Sequence, residues 1–294
     1  MLLAAIDIGT NAVRLLFSNV FEQDKLVVAE KASLVRMPMR LGEDVFTHGE
    51  ISQAKAENLV KTMKAFKLLI EVYQPKAWRA VATSAMREAA NSQWVIQQVR
   101  EQAGIDIEII EGEKEAGLIS AVNNLKLNKK NQLVMLVDVG GGSTEISVLK
   151  NGKIEDSTSF KIGTVRLLNN KVDEREWNMM QQWLLPYANK PEELLLVGSG
   201  GNINKISKLY GRTPENMLPS DNLDYAMKHL GYFSVQQRIE LMGLRPDRAD
   251  VIIPAGEIFQ FVFKQTGATT MYVPKIGLSD GIVTSLYREL QASP

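Results

Sequence analysis

The 294-residue chain contains no cysteine and only two histidines. The missing thiols exclude disulfides, thiolate metal centres and cysteine nucleophiles. His48 and His229 lie far apart in sequence, which argues against a histidine-rich zinc site or a serine–histidine relay, and each reads as structural or solvated. An excess of charge of one sign is also missing, because 34 basic residues balance 34 acidic ones. No global field therefore draws the chain to nucleic acid, a membrane surface or any long polyanion, and anion binding must be local. Long apolar runs are absent as well. The longest, VIIPAGEIFQFVF at 251–263, is too short to cross a bilayer and is interrupted by Pro254 and Glu257. The opening MLLAAIDIG has no basic segment and carries Asp7 too early for a signal sequence, so the expected location is the cytoplasm.

What is present is the composition of a packed globular protein, with 45% hydrophobic and 23% charged residues and no low-complexity tract. The length favours two domains or one large α/β unit. Periodicity predicts strands at 2–8, 13–20, 26–35, 77–82 and 106–110, with helices at 51–73, 91–103 and 113–125. Pro75 ends the first helix and Asn91 is placed to cap the second. KLNKKNQ at 126–132 is polar and without apolar periodicity, so it reads as a connector between domains 1–125 and 126–294. Beyond it the pattern restarts with strands at 133–138, 144–150 and 153–160, the last two joined by Asn151-Gly152, a strong hairpin signal. Helices are expected at 173–188, 202–210, 221–230, 234–242, 247–265 and 279–291, with strands near 194–198 and 269–273. The two halves share an architecture, strand to Asp-Gly turn to strand, rather than a sequence.

In DIGTNAVR (7–14), Asp7 ends a strand, Gly9 allows close backbone approach, and Thr10, Asn11 and Arg14 offer donors to a phosphate. The same residues also suit a plain glycine hairpin, with Arg14 and Arg40 as paired structural arginines. DVGGGSTE (138–145) is more demanding, since Gly140, Gly141 and Gly142 are costly in conformational entropy between two well-formed strands. Something must come close to that backbone. Asp138 and Glu145 carry hard oxygens suited to Mg²⁺, and Ser143 and Thr144 can bond phosphate oxygens. A third turn, VGSGGNINKI (197–206), carries Gly200 and Gly201 into a helix whose N-terminus favours an anion, though it matches neither a Walker sequence nor G-x-G-x-x-G.

This ordered set resembles the exopolyphosphatase/guanosine pentaphosphate phosphatase family of the actin-like superfamily. The resemblance extends over RLGED (40–44), ATSAMREAAN (82–91), IEIIEGEKEAGLI (107–119), RADVIIPAG (248–256) and IGLSDGIV (276–283). It implies an α/β fold of two actin-like (ribonuclease H-like) domains with a phosphate-binding cleft between them. Carried onto this chain, the general base falls on Glu115, the carboxylate of the second turn on Asp138, the glutamate ending G-G-G-S-T-E on Glu145, and the arginine of A-T-x-A-x-R on Arg87. From the residues alone, Glu115 also suits a solvated first-turn glutamate favoured by the helix dipole, and Arg87 a surface arginine. The chain departs from the family pattern at Thr10 and Ala12, where serines are common, at Lys114 in place of a glutamate, at Asn202 in place of a threonine, and at Ser279 in place of an arginine.

The implied activity is Mg²⁺-dependent removal of terminal orthophosphate from inorganic polyphosphate, with a preference for shorter chains because the sequence stops after the second core domain. Alternatives are hydrolysis of guanosine pentaphosphate, an ATP-dependent kinase or ATPase using the third turn, and a noncatalytic polyphosphate sensor. The expected partners exclude nucleic acid and membrane, and the resemblance implies a homodimer.

Overall fold

The computed structural model describes residues 1–23, 26–122, 132–188, 194–212 and 216–292. The chain forms two compact units, one of Met1–Asn124 with Gly277–Pro294, the other of Leu125–Ile276.

In the first unit, β1 (Leu2–Ile8) pairs antiparallel with β2 (Ala12–Gln23), which pairs antiparallel with β3 (Leu26–Pro38). Two helices follow, α1 (Leu41–His48) and α2 (Gln53–Tyr73). Next come β4 (Ala77–Ala82), α3 (Ser84–Glu88), α4 (Ser92–Ala103), β5 (Ile107–Ile109) and α5 (Gly112–Ala121). β4 lies parallel to β1 and β5 parallel to β4, giving the order β3-β2-β1-β4-β5. β1 is central and buried along nearly its whole length, which is why it reads as a continuous apolar run. α2 buries Ala56, Leu59, Val60, Met63, Phe66 and Ile70, a stripe at helical spacing. Asn91 does occupy the cap position of α4, but its side chain makes no cap bond. Its amide instead accepts from Ile51 N at 3.0 Å and donates to Ile51 O at 2.7 Å, tying the start of α4 to the segment before α2.

The second unit repeats the plan. β6 (Leu133–Val139), β7 (Thr144–Lys150) and β8 (Lys153–Phe160) form an antiparallel meander. Asn151 and Gly152 both have positive φ, 50° and 77°, as the predicted two-residue hairpin requires. α6 (Thr164–Leu168) and α7 (Glu174–Leu184) precede β9 (Leu194–Ser199) and α8 (Gly201–Tyr210). Then come β10 (Met217–Pro219), α9 (Ser220–Gly231), α10 (Val235–Glu240), α11 (Pro246–Ala249), α12 (Ile252–Thr266) and β11 (Thr270–Tyr272). The sheet order is β10-β11-β9-β6-β7-β8. Without the edge strand β10, the order β8-β7-β6-β9-β11 matches that of the first unit strand for strand and sense for sense. The apolar run at 251–263 becomes α12, whose Ile252, Ala255, Phe259 and Val262 pack in one core with Val137 and Ile146 of the sheet and Leu223 and Leu230 of α9.

The single helix expected at 247–265 is two, α11 and α12, separated at Asp250–Val251. The short helices α1, α3 and α6 were not expected. The expected junction at 125/126 lies outside the described residues. The last helix, α13 (Leu278–Ala292), packs on β1 and α5, so the C-terminal segment belongs with the first unit rather than with the rest of 126–294. Among the described residues, no helix is long and apolar enough to cross a membrane.

Candidate active site

The expected site residues of the first unit cluster at the carboxyl ends of its parallel strands, the edge where open α/β sheets bind ligands. After β1, the Gly9 N–H donates to Ala12 O at 3.1 Å and closes a tight turn. A side chain at Gly9 would press on that same carbonyl. The turn's carbonyls are held from below. Thr10 O accepts from Gly42 N at 3.0 Å, and Asn11 O from Arg40 N at 3.0 Å and Met39 N at 3.3 Å. The turn's carbonyls are thus held toward the start of α1, and glycine turns of this kind can present amides to an anion.

Three of the expected donors, Thr10, Arg14 and Arg87, already have partners within the unit. The Thr10 hydroxyl bonds the Ser84 hydroxyl at 2.7 Å, linking the β1–β2 turn to α3. Arg14 lies opposite Asp7 on the β1–β2 ladder and bonds its carboxylate through Nη1 at 2.6 Å. Arg87 donates from Nη1 to Ile110 O at 2.7 Å, and its Nε stands 3.7 Å from the Glu111 carboxylate, so it joins the end of α3 to the start of α5. Glu115 follows one turn later, its amide bonded to Glu111 O at 2.9 Å.

The second unit builds the corresponding turn after β6. The Gly140 N–H donates to Ser143 O at 3.0 Å, the counterpart of the Gly9–Ala12 bond. Here every glycine carbonyl is engaged: Gly140 O by Thr164 N at 3.0 Å, Gly141 O by Val165 N at 2.8 Å, and Gly142 O by Arg166 Nε at 2.5 Å. Thr144 Oγ1 adds a bond to Ile162 O at 2.6 Å. This docking requires Gly163, since a side chain there would overlap the backbone of Gly141 and Gly142. With all three glycine carbonyls so engaged, the turn has the form of the nests in which successive backbone N–H groups bind anions.

Beside this nest, Asp138 and Glu145 oppose each other on the β6–β7 ladder, 9% and 2% exposed. Ser159 Oγ donates to Glu145 Oε1 at 2.8 Å. Like charges directly opposite on a ladder repel, and a hard divalent cation relieves that repulsion with the oxygen donors it prefers.

Gly200, at φ 113°, leads from β9 into α8, and a side chain there would lie 2.9 Å from Val139 O and 3.7 Å from Asp138 Oδ1. The third glycine turn therefore abuts the second. Arg248 is a residue to which the sequence reading gave no role. Its guanidinium packs over Gly201 so closely that a Cβ there would stand 2.8 Å from Nη2. Lys205, one turn into α8, reaches Gly243 O at 3.4 Å. Burial, and then repulsion from Lys208 and Arg248, holds it below the usual lysine range. The start of α8 is thus a cationic environment added to a helix N-terminus.

Several known proteins are similar to this chain. A bifunctional 3-dehydroquinate synthase/phosphatase of Fusobacterium nucleatum is 29% identical over 284 residues, covering 85% of this chain but 41% of that protein. The chain thus spans less than half the length of that relative. Exopolyphosphatase 1 of Mycobacterium tuberculosis is 23% identical over 303 residues, covering 96% of this chain and 87% of that protein. The crystal structure of the Aquifex aeolicus Ppx/GppA family member superposes with a TM-score of 0.79 at 25% identity, covering 100% of this chain and 99% of that one. The duplicated sheets conform to its actin-like type. The model of the Ppx/GppA phosphatase family matches residues 26–290, and the chain belongs to that family.

Proposed function

We propose that the chain hydrolyses the terminal phosphoanhydride of inorganic polyphosphate. The observation that carries this reading is the second turn, where three glycine carbonyls are tied back beside two opposed carboxylates. Amides suit the oxygens of a phosphoryl group, and the carboxylates suit a divalent cation.

In the proposed reaction, water attacks the terminal phosphorus, the bridging P–O bond breaks, and orthophosphate and a chain one unit shorter are released. Glu115 accepts the water's proton, a role typically worth about 10²–10⁴-fold. Gly141, Gly142 and Ser143 bind phosphoryl oxygens, with the Gly9–Asn11 turn and Gly200–Gly201 binding neighbouring phosphates. Arg14 and Arg87, already anchored to Asp7 and Ile110, add positive potential from fixed positions. Asp138 and Glu145 hold Mg²⁺, which when bound neutralises phosphate charge. Hydrolysis of guanosine pentaphosphate uses the same phosphate chemistry and is the rival substrate reading; a homodimer is the proposed assembly.

The test is phosphate release from polyphosphate, guanosine pentaphosphate and ATP, with Glu115→Gln alongside. Polyphosphate turnover that falls at least a hundredfold in the variant supports the proposal. Faster release from guanosine pentaphosphate would reassign the substrate, strict ATP dependence would make the protein a kinase or ATPase, and binding without release would make it a sensor.

A further inference from the structure

Glu115 lies in the first turn of α5, and α5 packs against α13. α13 runs against it at a glycine: a Cβ on Gly281 would overlap the carbonyl oxygen of Leu118 and come within 3.1 Å of Ile119 N. The obstruction is backbone, so no side-chain rearrangement removes it. Farther along, Arg288 Nη2 donates to Ala121 O at 3.1 Å, at the last residue of α5. α5 is therefore held in its second turn and at its end by the same helix.

α13 is itself anchored to the sheet. Asp280, buried, pairs with Lys31 of β3 at 3.1 Å and accepts from Gly277 N at 3.0 Å, bonding the amide that precedes the helix. Glu289 pairs in a two-pronged bond with Arg79 of β4, at 3.1 and 2.7 Å. The sheet thus fixes α13, α13 fixes the backbone of α5 at Leu118, and Leu118 lies one turn beyond Glu115.

We infer that Gly281 is a positioning residue for the Glu115 carboxylate, acting through the backbone contact of α13 with α5. The inference rests on the catalytic role proposed for Glu115. Gly281→Ala would displace α5 by roughly an ångström, and displacements of that size at a reacting group cost up to about 100-fold. Nothing in local propensity predicts such a loss, because alanine is the better helix former.

The experiment is a double-mutant cycle of Gly281→Ala with Glu115→Gln, read as kcat on polyphosphate with each protein shown folded by circular dichroism. Gly117→Ala is the control, since a methyl at that α5 position meets nothing within 4 Å. Expected are a kcat loss of about 10- to 100-fold for Gly281→Ala at unchanged KM, no further loss when it is added to Glu115→Gln, and ordinary activity for Gly117→Ala. A Gly281→Ala enzyme with normal kcat, or one that loses the same factor in both backgrounds, overturns the inference and leaves the proposed reaction standing. Full activity of Glu115→Gln would instead overturn the proposed reaction.

Discussion

Asp138 and Glu145 oppose each other across β6 and β7 at the register position that Asp7 and Arg14 occupy across β1 and β2. Both pairs lie one rung before the last rung of the ladder, and both aspartates are buried. The duplicated frame has diverged at one charge. In the first unit the chain supplies the cation as a guanidinium bonded at 2.6 Å; in the second it supplies another carboxylate.

A bound cation should therefore stabilise the protein. At a hundredfold excess over Kd, Mg²⁺ is expected to add about 2.7 kcal/mol, a rise in Tm on the order of 5 °C. Glu145→Arg, which recreates the pairing of the first unit, should fold, lose activity and show no Mg²⁺-dependent rise. Calorimetry with Mg²⁺ and with chelator checks this, and an undiminished rise in Glu145→Arg would refute it.

Gly163 packs directly against the backbone of the second glycine turn. A methyl at this position meets the Gly141 and Gly142 backbone, so either the loop or α6 must move. Gly163→Ala is expected to cost about 3 kcal/mol, the upper end for overpacking, and to raise KM about tenfold. Urea unfolding and initial rates measure the two effects. Destabilisation with an unchanged KM would show that the loop geometry does not serve binding.

Asp280 should leave a signature in the pH dependence of stability. Burial raises its pKa, opposed by Lys31 and by its hydrogen bonds. The folded protein therefore binds the proton more tightly than the unfolded chain. This contribution is complete below the unfolded-state value near 3.8 and is lost as pH rises through the raised folded value. The stability of the wild type relative to Asp280→Asn should fall with increasing pH across that interval. Parallel urea titrations from acid to neutral pH test the sign, and a difference that grows with pH would contradict it.

Much of the framework was legible because burial writes periodicity into the chain. β1, β6 and β9 read as strands from their apolar runs, and Asn151-Gly152 marked its hairpin. α1, α3 and α6 were not legible, since five to eight residues barely complete two turns and give no sustained period. Yet α1 and α6 begin where backbone amides grip the two glycine turns. Most of those grips run from main chain to main chain, and the close approach they need falls at a glycine, Gly42 in one unit and Gly163 in the other. The return of α13 to the first unit was hidden for a similar reason, because α13 meets the backbone of α5 at a glycine, Gly281. Arg248 stood in a quoted motif, but only the structure places its guanidinium over Gly201.

Gly42 and Gly163 occupy matching places, but their substitutions should differ in whether they can be rescued. The Gly42 N–H bonds Thr10 O at 3.0 Å, and a methyl at Gly42 would overlap Thr10 Cγ2 and lie 2.8 Å from Phe46 Cε2. These obstacles are side-chain atoms. Gly42→Ala alone should cost about 1–3 kcal/mol, as overpacking does. Thr10→Ser removes the obstructing methyl and keeps the hydroxyl that bonds Ser84, so alone it should cost under about 1 kcal/mol. Together the two should be more stable than additivity predicts by about 1 kcal/mol, with the Phe46 contact accounting for incomplete recovery. Urea unfolding of the four proteins measures the coupling, and additivity within about 0.5 kcal/mol would show that Thr10 is not what holds position 42 to glycine. No such partner exists for Gly163, where the obstacle is the main chain of the glycine turn.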